Sequence, residues 1–237
     1  MSSDNRPDVI VFDMDGVLVE VGQSYREAIR ETVRHFTGEL VTHDEIQNFK
    51  NAGGFNNDWL LSHRLILNRG KQVEYADVVE HFNLVFLGKN GDGLIRNEQW
   101  MPNSGLLERL SQRAVLAIFT GRAKYEADVT LERYAKGIHF NPLITDESVA
   151  NPKPAPDGLR LIQREYPDQN IWYLGDTVDD AISSRDAGVP FIGVSTPHNS
   201  RHLEIADLLL GHGAFTVIND INELEALANG AAPPSDL

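Results

Sequence analysis

The 237 residues contain no cysteine, which removes disulfides, thiolate metal ligands and a cysteine nucleophile from consideration. Long hydrophobic runs are missing as well: no apolar stretch approaches the ~20 residues that a membrane-spanning helix needs. Residues 1 to 8 are polar and lack a hydrophobic signal region, so the chain reads as cytoplasmic. Basic residues are scarce. Lysine and arginine total 21 against 35 aspartates and glutamates, a formal charge of −14, and such a surface repels nucleic acid and anionic membranes. Neither is expected as a partner. Internal repeats and low-complexity tracts are also absent. What the chain does have is a 41% apolar share, enough for a proper core, at a length that suits one large domain or a core carrying an insert.

The apolar residues gather in short runs. Val9–Phe12, Val115–Phe119, Ile171–Leu174 and Phe191–Val194 are each bounded by turn formers or acids, with helical patterns between them. That alternation favours an α/β fold with a doubly wound, Rossmann-like parallel sheet. Leu143 and Ile144 suggest a further short strand, and Phe215–Ile218 a last one, followed by a helix started by Asp220. The tail AAPPSDL is expected to fray. More than a hundred residues separate the first two strong strands, far beyond an ordinary crossover. Residues 23–37, 43–50, 57–69 and 75–88 within that gap have helical periodicity, with Thr42 and Asn56 as expected caps. The breakers NAGGFNN and GKNGDG interrupt them. The expected organisation is therefore a catalytic core of residues 1–17 and 95–237 with an inserted α-helical domain at 18–94.

Residues that carry chemistry sit at the ends of the strands. VIVFDMDGV runs an apolar strand into Asp13 and Asp15, with Gly16 providing a turn that separates the two carboxylates. The carboxyl ends of strands are where open α/β sheets bind ligands. After the second strand, FTGR places Thr120 and Gly121 at a helix start, either an anion site or a routine cap. In NPKPAP, Lys153 stands among prolines that stiffen its approach, although a loop lysine is commonly just solvated. YLGDTVDD then presents Asp176, Asp179 and Asp180, of which Asp179 is expected to point outward or cap the next helix. If these ends converge, like charges about 4 Å apart repel by roughly 4 kcal/mol at an effective dielectric near 20. A hard divalent cation relieves that repulsion, and all-oxygen ligation with retained waters suits magnesium.

DMDGV at 13–17, TGR at 120–122, KPAP at 153–156 and GDTVDD at 175–180, in this order, resemble the motifs of the haloacid dehalogenase-like hydrolase superfamily across essentially the whole chain. The resemblance implies a magnesium-dependent phosphatase with a helical cap domain inserted after the first motif. It implies that Asp13 is the nucleophile that forms an aspartyl-phosphate and that Asp15 is the general acid, then base. Thr120, Gly121 and Lys153 would bind phosphate, Lys153 also restraining Asp13. Magnesium would be held by Asp13, the backbone carbonyl of Asp15 and Asp176, with Asp180 holding metal-bound water or orienting Lys153. Dehalogenating and phosphonate-cleaving relatives lack an aspartate at the position of Asp15, so phosphate ester chemistry is implied here. Phosphosugar mutases keep both aspartates and remain an alternative, as does a catalytically idle phospholigand-binding protein.

Specificity would reside in the cap. Lys50, Asn51, Asn56, Asn57 and Trp59 cluster around Gly53–Gly54, a segment able to dip into a site and greet a polar, small phosphorylated metabolite. Tyr25 on the first cap helix is a further candidate contact. Alternatively Phe55 and Trp59 simply pack between helices. GGFNNDW also resembles a branch of the superfamily associated with histidine biosynthesis, which makes histidinol phosphate a candidate substrate. A monomer or a homodimer is expected.

Overall fold

A computed structural model describes residues 6–230; the tail AAPPSDL lies outside the described residues. The chain divides into two compact units, one formed by Met1–Val19 with Trp100–Leu237 and the other by Glu20–Gln99. Both boundaries fall a few residues later than the expected 18–94.

The first unit is built on six parallel strands: β1 (Val9–Phe12), β4 (Val115–Phe119), β5 (Leu143–Ile144), β6 (Ile171–Gly175), β7 (Phe191–Val194) and β8 (Thr216–Ile218). Their order across the sheet is β5-β4-β1-β6-β7-β8. The chain crosses between units at two short strands, β2 (Val19–Glu20) and β3 (Gln99–Trp100). All four residues of β1 are buried, because helices cover both faces of a parallel sheet, and its run of Val, Ile, Val and Phe follows from that double burial. Val9 and Val11 share one face with Ala117, Phe119 and Tyr173, packed against Leu159, Ile162, Ala181 and Leu209. Helices α5 (Leu106–Ser111), α6 (Lys124–Tyr134), α7 (Asp157–Glu165), α8 (Val178–Ala187), α9 (His202–Gly211) and α10 (Leu224–Ala228) complete this unit.

The strand order reverses at β1: β4 lies on one side of it and β6 on the other, in a register that sets Phe12 beside both Ile118 and Leu174. Such a switch point opens a crevice at the carboxyl ends of the strands. The next residues along β1, β4 and β6 are therefore delivered side by side.

The second unit contains α1 (Tyr25–Thr37), α2 (His43–Ala52), α3 (Asp58–Asn68) and α4 (Tyr75–Leu87). Thr42 caps α2, its side chain accepting from the Glu45 amide. The cap of α3 is Asn57 rather than Asn56: the Asn57 side chain accepts from Leu60 N–H. The helix thus starts one residue later than the pattern suggested, and the Asn56 carbonyl serves Lys50 instead. Ala28, Ile29 and Val33 of α1 are buried, as are Leu61 and Leu65 of α3 and Val78, Phe82 and Phe86 of α4. This is one apolar stripe per helix at helical spacing. Among the described residues, no helix is long and apolar enough to cross a membrane.

Phe82 has no exposed surface, and the adjacent rings of Tyr25 and Phe86 both lie about 6 Å from its own. We expect Phe82→Ala to cost about 3–5 kcal/mol, read as a lower denaturation midpoint, whereas Phe82→Leu should retain most of the stability.

Candidate active site

Asp13 follows β1 directly, and its amide donates to the Leu174 carbonyl of β6 at 2.8 Å, so the neighbouring strand fixes where the side chain starts. Asp13 as a whole is 3% exposed. Lys153, brought from a loop 140 residues away in sequence, donates from Nζ to Asp13 Oδ1 at 2.9 Å. The same ammonium lies 2.7 Å from Asp180 Oδ1. Lys153 also sits 4.8 Å from the centre of the Phe119 ring and 5.4 Å from that of Tyr173, whose faces favour a desolvated cation.

Asp180 is the hub of this arrangement. Its Oδ1 accepts from Tyr173 OH at 2.6 Å as well as meeting Lys153. Its Oδ2 accepts from the Thr177 hydroxyl at 2.6 Å and the Thr177 amide at 3.0 Å. Thr177 caps α8 in return by accepting from Asp180 N–H, so one reciprocal box fixes both the helix start and the carboxylate. The capping acid is thus Asp180. Asp179, expected to face outward or cap, is instead 2% exposed: α8 buries six of its ten residues, including this one in its first turn, and leaves little outward face.

Asp176 follows β6 and remains half-buried. One ligand oxygen each from Asp13, Asp176 and Asp180 lies within 4.8 Å of the others. The close fit requires Gly16, at φ +72°, because a Cβ there would stand 2.0 Å from Asp176 Oδ2. Gly175 is constrained likewise, a Cβ meeting that of Asp180 at 2.5 Å.

The donor set fits a hard divalent cation. It is all carboxylate, and the three acids together have one ammonium, that of Lys153, paired with two of them, a charge deficit that a doubly charged ion would balance. Because four donors already engage Asp180, Asp13 and Asp176 are the carboxylates better able to ligate, with Asp180 behind them. Electrostatics point the same way. Burial, reinforced by Asp180 and Asp15 and only partly offset by Lys153, raises the Asp13 carboxyl from 3.8 to about 7. Burial disfavours the Lys153 charge, but Asp13 and Asp180 outweigh it and hold the ammonium above its ordinary range. Asp180 is desolvated too, yet Lys153, Thr177 and Tyr173 keep it below the usual aspartate value.

Thr120 follows β4, fully buried, and its Oγ1 accepts from the Arg122 amide at 3.2 Å, leaving the hydroxyl hydrogen able to donate. Gly121 follows at the partly open edge of the same turn. Asp15 Oδ1 accepts from both Nε and Nη2 of Arg122. The sequence points to Asp13, Asp15, Thr120, Gly121, Lys153, Asp176 and Asp180, and all of them lie in the first unit: Asp13, Asp15, Thr120, Gly121 and Asp176 just beyond strand ends, Lys153 in the loop before α7 and Asp180 in the first turn of α8. It assigned nothing to Arg122, Tyr173 or Thr177, which hold Asp15 and Asp180 in place. Tyr173 carried a faint signal, since a tyrosine in an otherwise apolar buried strand brings a hydroxyl that must find a partner.

The candidate substrate contacts Tyr25, Lys50, Asn51 and Asn56 all lie in the second unit, Glu20–Gln99. Tyr25 is 6% exposed, its ring 3.9 Å from Phe86; aromatic packing has absorbed it into the helical core. Lys50 is ion-paired with Asp58 and donates to the Asn56 carbonyl. Asn51 Oδ1 accepts from Gln47. Trp59 donates to Asn83 at 3.2 Å and Phe55 packs edge-on against Phe49, the packing role that was the alternative for these two aromatics.

A Rossmann-like sheet whose switch point carries a lysine-clamped carboxylate among further acids defines an α/β enzyme with an acid-rich centre. A family model described as haloacid dehalogenase-like hydrolase matches residues 7–188, and the chain belongs to that family. Among curated proteins, it is 37% identical over 197 residues to an imidazoleglycerol-phosphate dehydratase of Phytophthora nicotianae, covering 79% of this chain but only 43% of that protein. The chain thus spans less than half the length of this relative. It is 28% identical to a phosphoglycolate phosphatase of Mesorhizobium japonicum, covering 84% and 87% of the two chains. The fold is shared with a haloacid dehalogenase-like hydrolase from Bacteroides fragilis, at TM-score 0.74, 20% identity and coverage of 92% and 100%. It is also shared with CbbY from Rhodobacter sphaeroides, solved with phosphate, at TM-score 0.70, 21% identity and coverage of 94% and 98%.

A carboxyl whose value is raised on folding favours the folded state while it is protonated, and that advantage fades as pH rises from its unfolded value through its folded one. For Asp13 the window runs from 3.8 to about 7. With divalent cations chelated, Asp13→Asn should therefore raise the melting temperature relative to wild type more at pH 8 than at pH 5. An equal difference at both pH values would contradict the assignment. Separately, added magnesium or manganese should raise the wild-type melting temperature and lose that effect in Asp176→Asn.

Proposed function

We propose that this protein is a magnesium-dependent phosphatase that hydrolyses a small phosphomonoester through an aspartyl-phosphate on Asp13. The observation that carries the reading is the buried Asp13–Lys153 pair at the switch point, with Asp176 and Asp180 in ligand range and a second acid, Asp15, hydrogen-bonded by Arg122. Phosphoryl transfer needs an aligned oxygen nucleophile, neutralised phosphoryl charge and a proton source for the leaving oxygen. Asp13 supplies the first; Lys153, the Thr120 hydroxyl and the backbone at Gly121 contribute to the second; Asp15 supplies the third. Magnesium, held by Asp13, the Asp15 carbonyl and Asp176, would neutralise charge on the transferring group and on Asp13. Lys153 restrains the Asp13 carboxylate, and Asp180 restrains Lys153.

In the first half-reaction a carboxylate oxygen of Asp13 bonds to phosphorus as the ester oxygen departs with a proton from Asp15. In the second, Asp15 takes a proton from water while the water oxygen bonds to phosphorus and Asp13 is released. The helical unit Glu20–Gln99 is proposed as the cap that admits substrate and excludes bulk water. For the substrate, phosphate esters of small polar metabolites are the class. Relatives named for phosphoglycolate and for imidazoleglycerol phosphate make 2-phosphoglycolate and an imidazole-bearing ester such as histidinol phosphate the first two compounds to assay. The chain's similarity to the second is the higher in identity, at 37% against 28%.

The test is a panel of phosphorylated metabolites with magnesium, reading released phosphate. Asp13→Asn should reduce turnover by about 10³-fold or more; wild-type rates in that variant would remove the nucleophile assignment. Release of free phosphate without a bisphosphate activator separates the phosphatase from a phosphomutase. No release across the panel, with metal still bound, would leave a phospholigand-binding protein.

A further inference from the structure

Arg122 is among the largest side chains with no access to solvent, its side chain 1% exposed. Burying a guanidinium is costly unless partners and hydrogen bonds compensate, so its presence beside the site needs a reason. Its Nε donates to Asp15 Oδ1 at 2.9 Å, and its Nη2 donates to the same oxygen. Its Nη1 donates to Thr130 Oγ1 at 2.7 Å on α6. An arginine matched to a carboxylate for strength alone presents two parallel N–H groups to two oxygens. Here both converge on one oxygen. Among the described residues nothing donates to Asp15 Oδ2, and the Asp15 side chain keeps 30% exposure.

We infer that Arg122, anchored by Thr130, is a positioning residue for Asp15: it locks Oδ1 so that Oδ2 is the atom that gives and receives the proton. This rests on the phosphatase reading above. The clamp works in both halves of the cycle, because the carbonyl oxygen of a carboxyl and the oxygen of a carboxylate both accept N–H donors. In the first half-reaction the bond from Asp13 to phosphorus forms, the ester P–O bond breaks, and the Oδ2 proton moves to the leaving oxygen. In the second, water transfers a proton to Oδ2 as its oxygen bonds to phosphorus and the Asp13–phosphorus bond breaks, which restores both aspartates. Without the clamp the Asp15 carboxylate can turn about its own bond and exchange its oxygens. Misplacement of a reacting group by as little as about 1 Å can cost on the order of 10²-fold.

The consequence is selective. A p-nitrophenyl leaving group departs without a proton, while an alkyl alcohol needs one. The experiment compares kcat/KM, which reports steps up to the first phosphoryl transfer, for p-nitrophenyl phosphate and a primary alkyl phosphate with magnesium. Arg122→Lys keeps the charge but cannot reach both Asp15 and Thr130 with the same geometry. Thr130→Val preserves shape and removes the hydroxyl that accepts from Arg122 Nη1. Arg122→Lys should lose about 10-fold or more on the alkyl ester beyond its loss on the aryl ester, within the range that acid catalysis contributes. Thr130→Val should show the same pattern at smaller size, and millimolar guanidinium should restore alkyl ester cleavage selectively in Arg122→Ala.

Asp15→Asn is the control. If it shows the selective loss while Arg122→Lys and Thr130→Val lose equally on both esters, or lose nothing, the role of Arg122 is overturned and the phosphatase reading stands. If Asp15→Asn itself loses equally on both esters, the acid role fails and the inference falls with it. Should the Arg122 variants fail to fold, equal losses in Thr130→Val alone would overturn the inference, and a selective loss would support it.

Discussion

One buried ammonium governs the arrangement of the core. Lys153 stands between Asp13 and Asp180 with a side chain 1% exposed, and neither acid could be so deeply desolvated without it. Two carboxylates and one amine still leave the cluster negative. Desolvation and that residual charge explain why Asp13 is pushed up to about 7, toward neutrality, and why a divalent cation is the natural remaining component. The fold's contribution is to make the convergence unavoidable: β1 lies between β4 and β6, so residues leaving these strands have no other place to go.

The surrounding contacts give the acids different partners. Asp180 spends its lone pairs on Lys153, Tyr173 and Thr177, which makes it a rigid support better than a ligand. Asp13 faces Lys153 through one oxygen. Asp15 is turned to Arg122, and Asp176 is seated by the missing Cβ of Gly16. Four carboxylates within a short reach thus acquire different partners, and different environments are what allow like groups to take up unlike chemical roles.

The strands and the order of the motifs were legible because their signals are local. The run VIVF followed by DMDG fixes a strand, a turn and two acids within eight residues of chain, and each step follows from side-chain period and glycine's freedom. The helices at 25–37 and 75–87 were equally visible as apolar stripes. Less was legible where a residue had two local uses. Tyr25 reads as a polar aromatic on a helix, and only the packing with Phe82 and Phe86 shows that its ring is spent on the core. Asn56 and Asn57 are both acceptable caps, and a single backbone amide, that of Leu60, decides between them.

By itself, then, the sequence determined which chemical groups stand at the carboxyl ends of which strands, since strand period, turn chemistry and motif spacing are properties of neighbouring residues. Tertiary structure decided which of those groups touch. Asp13 and Lys153 are 140 residues apart, and Asp15 and Arg122 are 107 apart. No local pattern encodes that one carboxylate meets an ammonium and the next a guanidinium. Those choices are made by strand order and by the cost of leaving a charge alone in a buried place.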